Sequence, residues 1–263
     1  MTRARVGEGE QQLAALRHQL ILDSLLEKGQ VSTNGLVDRL GVTHETVRKD
    51  LVHLQERGLL RRVHGGAVPV ESLAHEPFVT TRTDHAHEKA RIAQAAAQFV
   101  PDGGAVIMDS GTTTAALADV FPTSPDVLAI TNSLPIALSL LSRAGTVVTL
   151  GGRARRETLA TVDEWALRHL ETVRADVAFL GANAFSAEHG LATPDQAEAA
   201  VKGAFVRSAR MRVLLADHSK LGRESVFHYA RLEELDVLVT DEGMSAAAAN
   251  ELERACGIEV VRA

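Results

Sequence analysis

The sequence predicts an α/β protein in two parts: a small helical module closed by a β-hairpin, then a larger domain with a largely parallel sheet. Three observations carry this. Apolar residues at three- and four-residue steps, punctuated by glycines, fill the first 70 residues. A polar stretch flanked and interrupted by Pro69 and Pro77 follows. From Glu88 onward, helical patterns alternate with short β-rich runs, the arrangement that places helices on both faces of a parallel sheet.

In the first part, Leu13, Leu16, Leu20, Ile21 and Leu25 predict an amphipathic helix over about residues 11–28, ended by Gly29. Ser32 or Thr33 can cap a second helix with Leu36, Val37 and Leu40 on one face. Gly41 supplies the left-handed turn, and Thr43 caps a third helix in which Val47, Leu51 and Leu54 face inward, with Gly58 as its stop. The run from Leu59 to Val68 makes two short strands around a glycine bend. Three helices and a hairpin describe a winged helix-turn-helix, expected over 14–69 with the helix-turn-helix itself at 31–50.

Residues 70–87 are expected to be a linker, and 88–263 the second domain. Its strands are placed at Ala105–Met108, Val127–Thr131, Thr146–Leu150, Asp176–Leu180, Arg212–Ala216, Asp236–Thr240 and Ile258–Val261. Helices fall at Lys89–Phe99, Thr113–Val120, Leu134–Leu141, Gln196–Ala209 and Ser245–Ala255.

Charge separates the two parts. Residues 1–70 hold 10 Lys+Arg against 8 Asp+Glu, a net of +2; the rest hold 18 against 26, a net of −8, which together give the chain's −6. The asymmetry is mild, but it locates any DNA contact in the first quarter of the chain. At 45% apolar and 24% charged residues the chain can bury a sizeable core and is not a disordered polymer. No window approaches the roughly 18–20 apolar residues of a spanning helix, and no apolar stretch follows the first charges, so neither a membrane partner nor a secretory leader is expected. The single cysteine, Cys256, can form no internal disulfide. A cytoplasmic protein without a cofactor is the expectation.

On the third helix, His44, Glu45, Arg48 and Lys49 lie opposite the apolar stripe, where a helix-turn-helix presents side chains to the major groove. Arg48 can grip a guanine by two hydrogen bonds, Glu45 can accept from a cytosine, and Thr46, beside the cap Thr43, can touch a thymine methyl or a phosphate. Arg61, Arg62 and His64 on the wing would lie near phosphates or the minor groove. The competing reading is a solvated polar face, or a winged helix that binds protein.

In the second domain, Asp109, Ser110, Gly111, Thr112, Thr113 and Thr114 follow one strand and open a helix, where small residues, hydroxyls and unpaired N–H groups suit an anion. Thr131, Asn132 and Ser133 repeat the pattern after the next strand, and Gly151 and Gly152 after the one beyond. Three such loops at successive strand ends share one rim; singly, each also fits ordinary helix capping. Lys202, in a helix after the expected turn Gly190–Asp195, and Lys220, after Asp217, can neutralise a phosphate or lie on the surface. Arg153, Arg155 and Arg156 either meet an anion or form a solvated loop. His85 and His87, without further ligands, do not make a metal site.

The run Val31-Ser32-Thr33, Leu40-Gly41-Val42-Thr43-His44-Glu45-Thr46-Val47-Arg48-Lys49-Asp50-Leu51 and the closing His64-Gly65-Gly66-Ala67 resembles the DeoR family of transcriptional repressors. Further pieces, among them Glu76-Pro77-Phe78, Arg82, the Asp109–Thr114 loop, Lys202 and Asp217-His218-Ser219-Lys220, extend the resemblance over nearly the whole chain. It implies a carboxyl-terminal domain similar to ribose-5-phosphate isomerases, serving as a sensor of phosphorylated sugars whose binding weakens the grip on DNA. It makes Ser110, Gly111, Thr112, Thr113, Asn132, Lys202 and Lys220 the best ligand candidates. Paired recognition helices imply a dimer or tetramer on operator DNA.

The chain departs from the family pattern at three places. Lys49 replaces an arginine, keeping the charge and losing the fork. Asp163 stands where a glycine is usual and is expected to shape effector selectivity, and Ala184-Phe185 replaces a second glycine. The rival reading is a sugar-phosphate isomerase with an appended DNA module, using Asp109, Asp217 or Lys220 as acid–base groups. Asp217-His218-Ser219 does not make a catalytic triad, because three consecutive residues cannot converge on one another.

Overall fold

The computed structural model describes residues 14–25, 29–57, 59–63, 65–68, 73, 76 and 78–263. They form two compact units that divide between Arg82 and Thr83. His64, Gly58, Pro69, Pro77 and the ends of the first expected helix lie outside the described residues.

The first unit holds α1 (described over 14–25), β1 (Val31–Ser32), α2 (Thr33–Leu40), α3 (His44–Glu56), β2 (Arg61–Val63) and β3 (Gly66–Val68). Ser32 caps α2 by accepting from the Gly35 N–H, Gly41 ends it at φ 64°, and Thr43 caps α3 through the Thr46 N–H. Ile21, Leu25, Leu36, Val47, Leu51, Leu54, Leu60 and Ala67 form one buried cluster, so the apolar stripe of each helix faces a common centre. The wing has three strands rather than two: β1 pairs antiparallel with β3, which pairs with β2. A two-residue strand has no periodicity, so only its partner Gly66-Ala67 reveals it. Gly66 must be glycine there, because a Cβ would lie 1.9 Å from the Val31 carbonyl oxygen.

The second unit is built on a seven-stranded parallel sheet of order β6-β5-β4-β9-β12-β14-β15. Its strands are β4 (Gly104–Met108), β5 (Ser124–Thr131), β6 (Ala144–Thr149), β9 (Ala175–Leu180), β12 (Ala209–Leu215), β14 (Val237–Thr240) and β15 (Glu259–Arg262). One buried layer joins Ile92 and Ala96 of α4 (Ala86–Ala96), Leu117 of α5 (Thr112–Val120) and Leu140 of α6 (Leu134–Leu140) to the sheet. The other layer joins Ala166 and Leu170 of α7 (Glu164–Glu171), Val201 and Phe205 of α8 (Gln196–Ser208), and Leu252 of α9 (Ala246–Cys256). Burial on both faces explains why the inner strands show as apolar runs toward their carboxyl ends. Among the described residues no helix is long and apolar enough to cross a membrane.

Further features differ from expectation. Helix α4 starts at Ala86, inside the expected linker, whose described part also holds a 3-10 turn at Val79–Thr81 and an Arg82–Glu76 ion pair of 2.8 Å. A two-stranded hairpin, β7 (Arg153–Ala154) with β8 (Thr161–Val162), occupies the supposed arginine loop, and α7 follows it. The segment Gly190–Thr193 is not a turn but the fully buried strand β11, paired with β10 (Ala184–Ser186) and β13 (Phe227–Ala230) in a second, antiparallel sheet. Ala184 and Phe185 are core residues of that sheet. These elements are short, so local pattern carries little of their information.

Candidate functional site

In the first unit, α3 turns Val47, Asp50, Leu51 and Leu54 inward and leaves His44, Glu45, Arg48 and Lys49 exposed. His44 and Arg48 line an open groove with Ser32, Thr33, Asn34 and Arg62. Arg61 and Arg62 are exposed on β2, and the Gln55 side chain anchors that strand by accepting from the Arg62 N–H at 2.8 Å. Thr43 is exposed and its hydroxyl lies 2.9 Å from that of Thr46, while Lys49 and Glu45 form an exposed pair at 3.6 Å.

Sequence reasoning missed Asp50. It is buried, receives Arg17 Nη2 at 2.8 Å and lies 2.9 Å from His18 Nε2, tying α1 to the recognition helix. Burial pushes its carboxyl upward, but the Arg17 and His18 hydrogen bonds outweigh that and hold it below the usual aspartate range. Its place on the apolar stripe between Val47 and Leu54 was the available signal; partners more than 30 residues away were not.

The second unit brings its predicted residues to the carboxyl ends of neighbouring strands. The chain runs outward from β4 to β6, then returns to β9 and runs outward the other way, so β4 and β9 flank the topological switch point. Asp109 lies there, fully buried. Its Oδ1 accepts from the Ser110 N–H at 2.8 Å, and its Oδ2 accepts from the Gly181 N–H at 2.9 Å and from Lys202 Nζ. Lys202, buried on α8, also donates to the Gly181 carbonyl at 3.1 Å. Tyr229, another residue not singled out from sequence, donates to the same carbonyl at 2.8 Å. Burial, with the charges of Asp109 and Glu198, pushes its hydroxyl well above the usual tyrosine range and keeps it a donor.

Beside this pair, α5 begins at Thr112 with no side chain capping its first turn; Gly111 precedes it at φ 143°, and Thr114 donates back to the Gly111 carbonyl at 3.0 Å. Thr113 and Thr114 are buried, whereas Gly111 and Thr112 are half-buried.

After β5, Thr131 Oγ1 accepts from the Ser133 N–H, Ser133 caps α6, and Asn132 donates to the Thr161 carbonyl at 3.1 Å. The β7–β8 hairpin thus lies against the β5 loop. Gly152 allows it, since a Cβ would sit 2.1 Å from the Val162 carbonyl oxygen, while Gly151 has space for one. Arg155 is buried in the hairpin and pairs with Glu198 at 2.7 Å, Asp195 at 3.4 Å and Glu157 at 3.7 Å. Its guanidinium bridges hairpin and α8.

After β12, Asp217 Oδ1 accepts from the Ser219 N–H and hydroxyl, and Lys220 sits half-buried at the end of the same short turn. Asn132 Oδ1 and Asp217 Oδ2 are buried acceptors with no protein partner. His218 is held by Asp241, 2.8 Å from its Nδ1, and its ring meets that of His85 edge-on at 5.3 Å.

Asp163 sits at φ 79°, ψ −168°, a region open almost solely to glycine, and its carboxylate is held by Arg153 at 2.8 Å. Such backbone strain costs about 1–3 kcal/mol, and an exposed ion pair returns only about 0–1 kcal/mol. Asp163→Gly is therefore expected to stabilise the domain by about 1 kcal/mol, read as a higher urea midpoint. Asp163→Ala keeps the strain and loses the pair, so an alanine variant more stable than the glycine one would refute the assignment.

Comparison with known proteins agrees with this division. The DeoR-like helix-turn-helix domain matches residues 17–73, and the DeoR C terminal sensor domain matches 84–242. The HTH-type transcriptional regulator GlpR of Haloferax volcanii is 38% identical over 95% of this chain and 98% of its own. A glycerol-3-phosphate regulon repressor of Haemophilus influenzae is 32% identical over 87% and 89%. Among solved structures, ribose 5-phosphate isomerase A of Methanocaldococcus jannaschii matches at 19% identity over 52% of this chain and 55% of that one, with a TM-score of 0.39. With an amino-terminal DNA-reading module and a sensor domain both matched, the chain belongs to the DeoR family of transcriptional regulators.

Proposed function

We propose that this regulator represses a carbohydrate catabolism or uptake operon and leaves its operator when a phosphorylated sugar occupies the rim of the sensor sheet. The observation that carries the reading is the uncapped first turn of α5 at the switch point, beside Ser110 and Gly111. Its N–H groups and positive dipole end suit a phosphate. From β5 to β12 the rim spans three strand spacings, about 14 Å, so one small ester divides its ends along it. Ser110, Gly111, Thr112, Thr113, Thr114 and Lys220 are assigned to the phosphate. Asn132 and Asp217, whose buried oxygens lack protein donors, are assigned to sugar hydroxyls, which can donate. Asp109 and Lys202 neutralise each other and set the loop geometry, while Thr131, Ser133, Gly151, Gly152 and Arg155 hold the neighbouring loops. The ester acts by preferring the conformer whose recognition helices are badly spaced for DNA. It is bound and not turned over, the protein works in the cytoplasm, and a dimer or tetramer carries the paired helices. The glycerol-3-phosphate repressor among the relatives supports a phosphorylated polyol as the ligand class.

The test is retention of promoter fragments with and without a panel of sugar phosphates. Release by one ester and not by its free sugar is expected; retention that no ester alters overturns the sensor, and turnover of the ester favours the isomerase reading. At the DNA face, Arg48→Ala is expected to cost about 1–3 kcal/mol and relax base preference, while Lys49→Ala weakens all sequences alike and lowers the salt slope by about 1. Equal salt slopes and equal specificity in both variants would refute the division of roles.

A further inference from the structure

One edge of the seven-stranded sheet, at β6, is unlike the rest of the sensor domain's surface. Among the described residues of this domain, six large apolar side chains are exposed: Leu134, Leu138, Leu141, Val148, Trp165 and Val226. The first five belong to α6 with its C-cap, β6 and α7, the elements that surround one edge of the sheet. Leu138 and Trp165 are each 71% exposed. On α6, Ser139 donates to Asp119 of α5 at 3.2 Å, which marks the side facing the body of the domain. Leu134, Leu138 and Leu141 centre about 140° around the helix from Ser139, so their stripe faces outward and toward β6.

The two sheet edges are protected differently. Strand β15 carries the charged Glu259 and Arg262, the usual guard against edge pairing. Strand β6, Ala144-Gly145-Thr146-Val147-Val148-Thr149, has no charge and no proline. From 134 to 152 the only charged residue is Arg143, whose guanidinium donates to the Phe121 carbonyl at 2.9 Å. In a portion of the chain with a net charge of −8, this is a face where two copies can approach without like charges meeting.

We propose that β6 and the outer side of α6 form the surface on which a second copy of this chain docks. The two β6 strands pair antiparallel across a two-fold axis, and each leucine stripe packs on its counterpart. Val148 and Trp165 extend the apolar contact on the other side of the strand. The proposal deepens the oligomer part of the functional reading and is independent of the effector.

The test is the mass of the full chain in solution by sedimentation, with Leu138→Arg and Val148→Lys as separate variants. Both positions are exposed, and helix content and melting temperature check that the fold is kept. A wild-type mass that is a multiple of 28.1 kDa is expected, falling to half or less in each variant at the same concentration. Val226→Arg, at a comparably exposed apolar position away from this edge, should leave the mass unchanged. A monomeric wild type, or wild-type mass in both edge variants, overturns the proposal. Release of DNA by an ester is read separately, so an unchanged mass with intact release refutes the edge alone.

Discussion

Truncating Lys202 to alanine is expected to cost the sensor domain about 3–5 kcal/mol, because it leaves a fully buried carboxylate without its cation. Asp109 is 0% exposed, and the N–H groups of Ser110 and Gly181 cannot replace a full positive charge. The loss is read by urea denaturation, using the fluorescence of Trp165, the single tryptophan, which reports on this unit alone. Replacing both partners, Asp109→Asn with Lys202→Met, is expected to restore near-native stability, because no unpaired charge then remains. The double variant also separates structure from recognition. If it folds and still releases DNA in response to the ester, Lys202 positions the rim and does not hold the phosphate. A loss below about 1 kcal/mol in Lys202→Ala would refute the buried pair.

Removing the Asp50 carboxylate as Asp50→Ala is expected to cost the DNA-binding unit about 2–3 kcal/mol, somewhat less than a fully buried pair because Arg17 is partly exposed. Folding lowers the pKa of Asp50 below its ordinary 3.8. Its contribution is therefore complete above that pH and is lost as the pH falls through the folded-state value. Acid titration of helix content between about pH 2 and 5 should show a slope in the wild type that Asp50→Ala flattens. Asp241, likewise lowered because the His218 and Gly243 N–H groups outweigh its burial, adds a slope common to both proteins. DNA affinity should fall with Asp50→Ala although the residue faces away from the groove, since Asp50 fixes α3 against α1. Wild-type stability and an unchanged acid slope would refute the clamp.

The helix-turn-helix was legible because its signals are local. The Thr43 cap, the Gly41 turn and the stripe Val47, Leu51 and Leu54 lie within fourteen residues, and each fixes backbone geometry by its own chemistry. The inner parallel strands were legible because burial on both faces forces apolar runs, and the expected strands differ from the observed ones mainly at their ends. The short elements were not, because β1, β7 and β8 have two residues each and exist only through partners elsewhere in the chain.

At the rim, the sequence by itself determined which residue types stand at which strand ends, since alternation of strand and helix places each loop. Only the tertiary structure decided how their charges are used. Lys202 and Asp109, 93 positions apart, are joined across the switch point; Arg155 is committed to Glu198; and Asp163 is held by Arg153 on a backbone suited to glycine. The physical reason is that a buried charge takes its partner from whatever is nearest in space, and strand order, not spacing along the chain, sets that proximity.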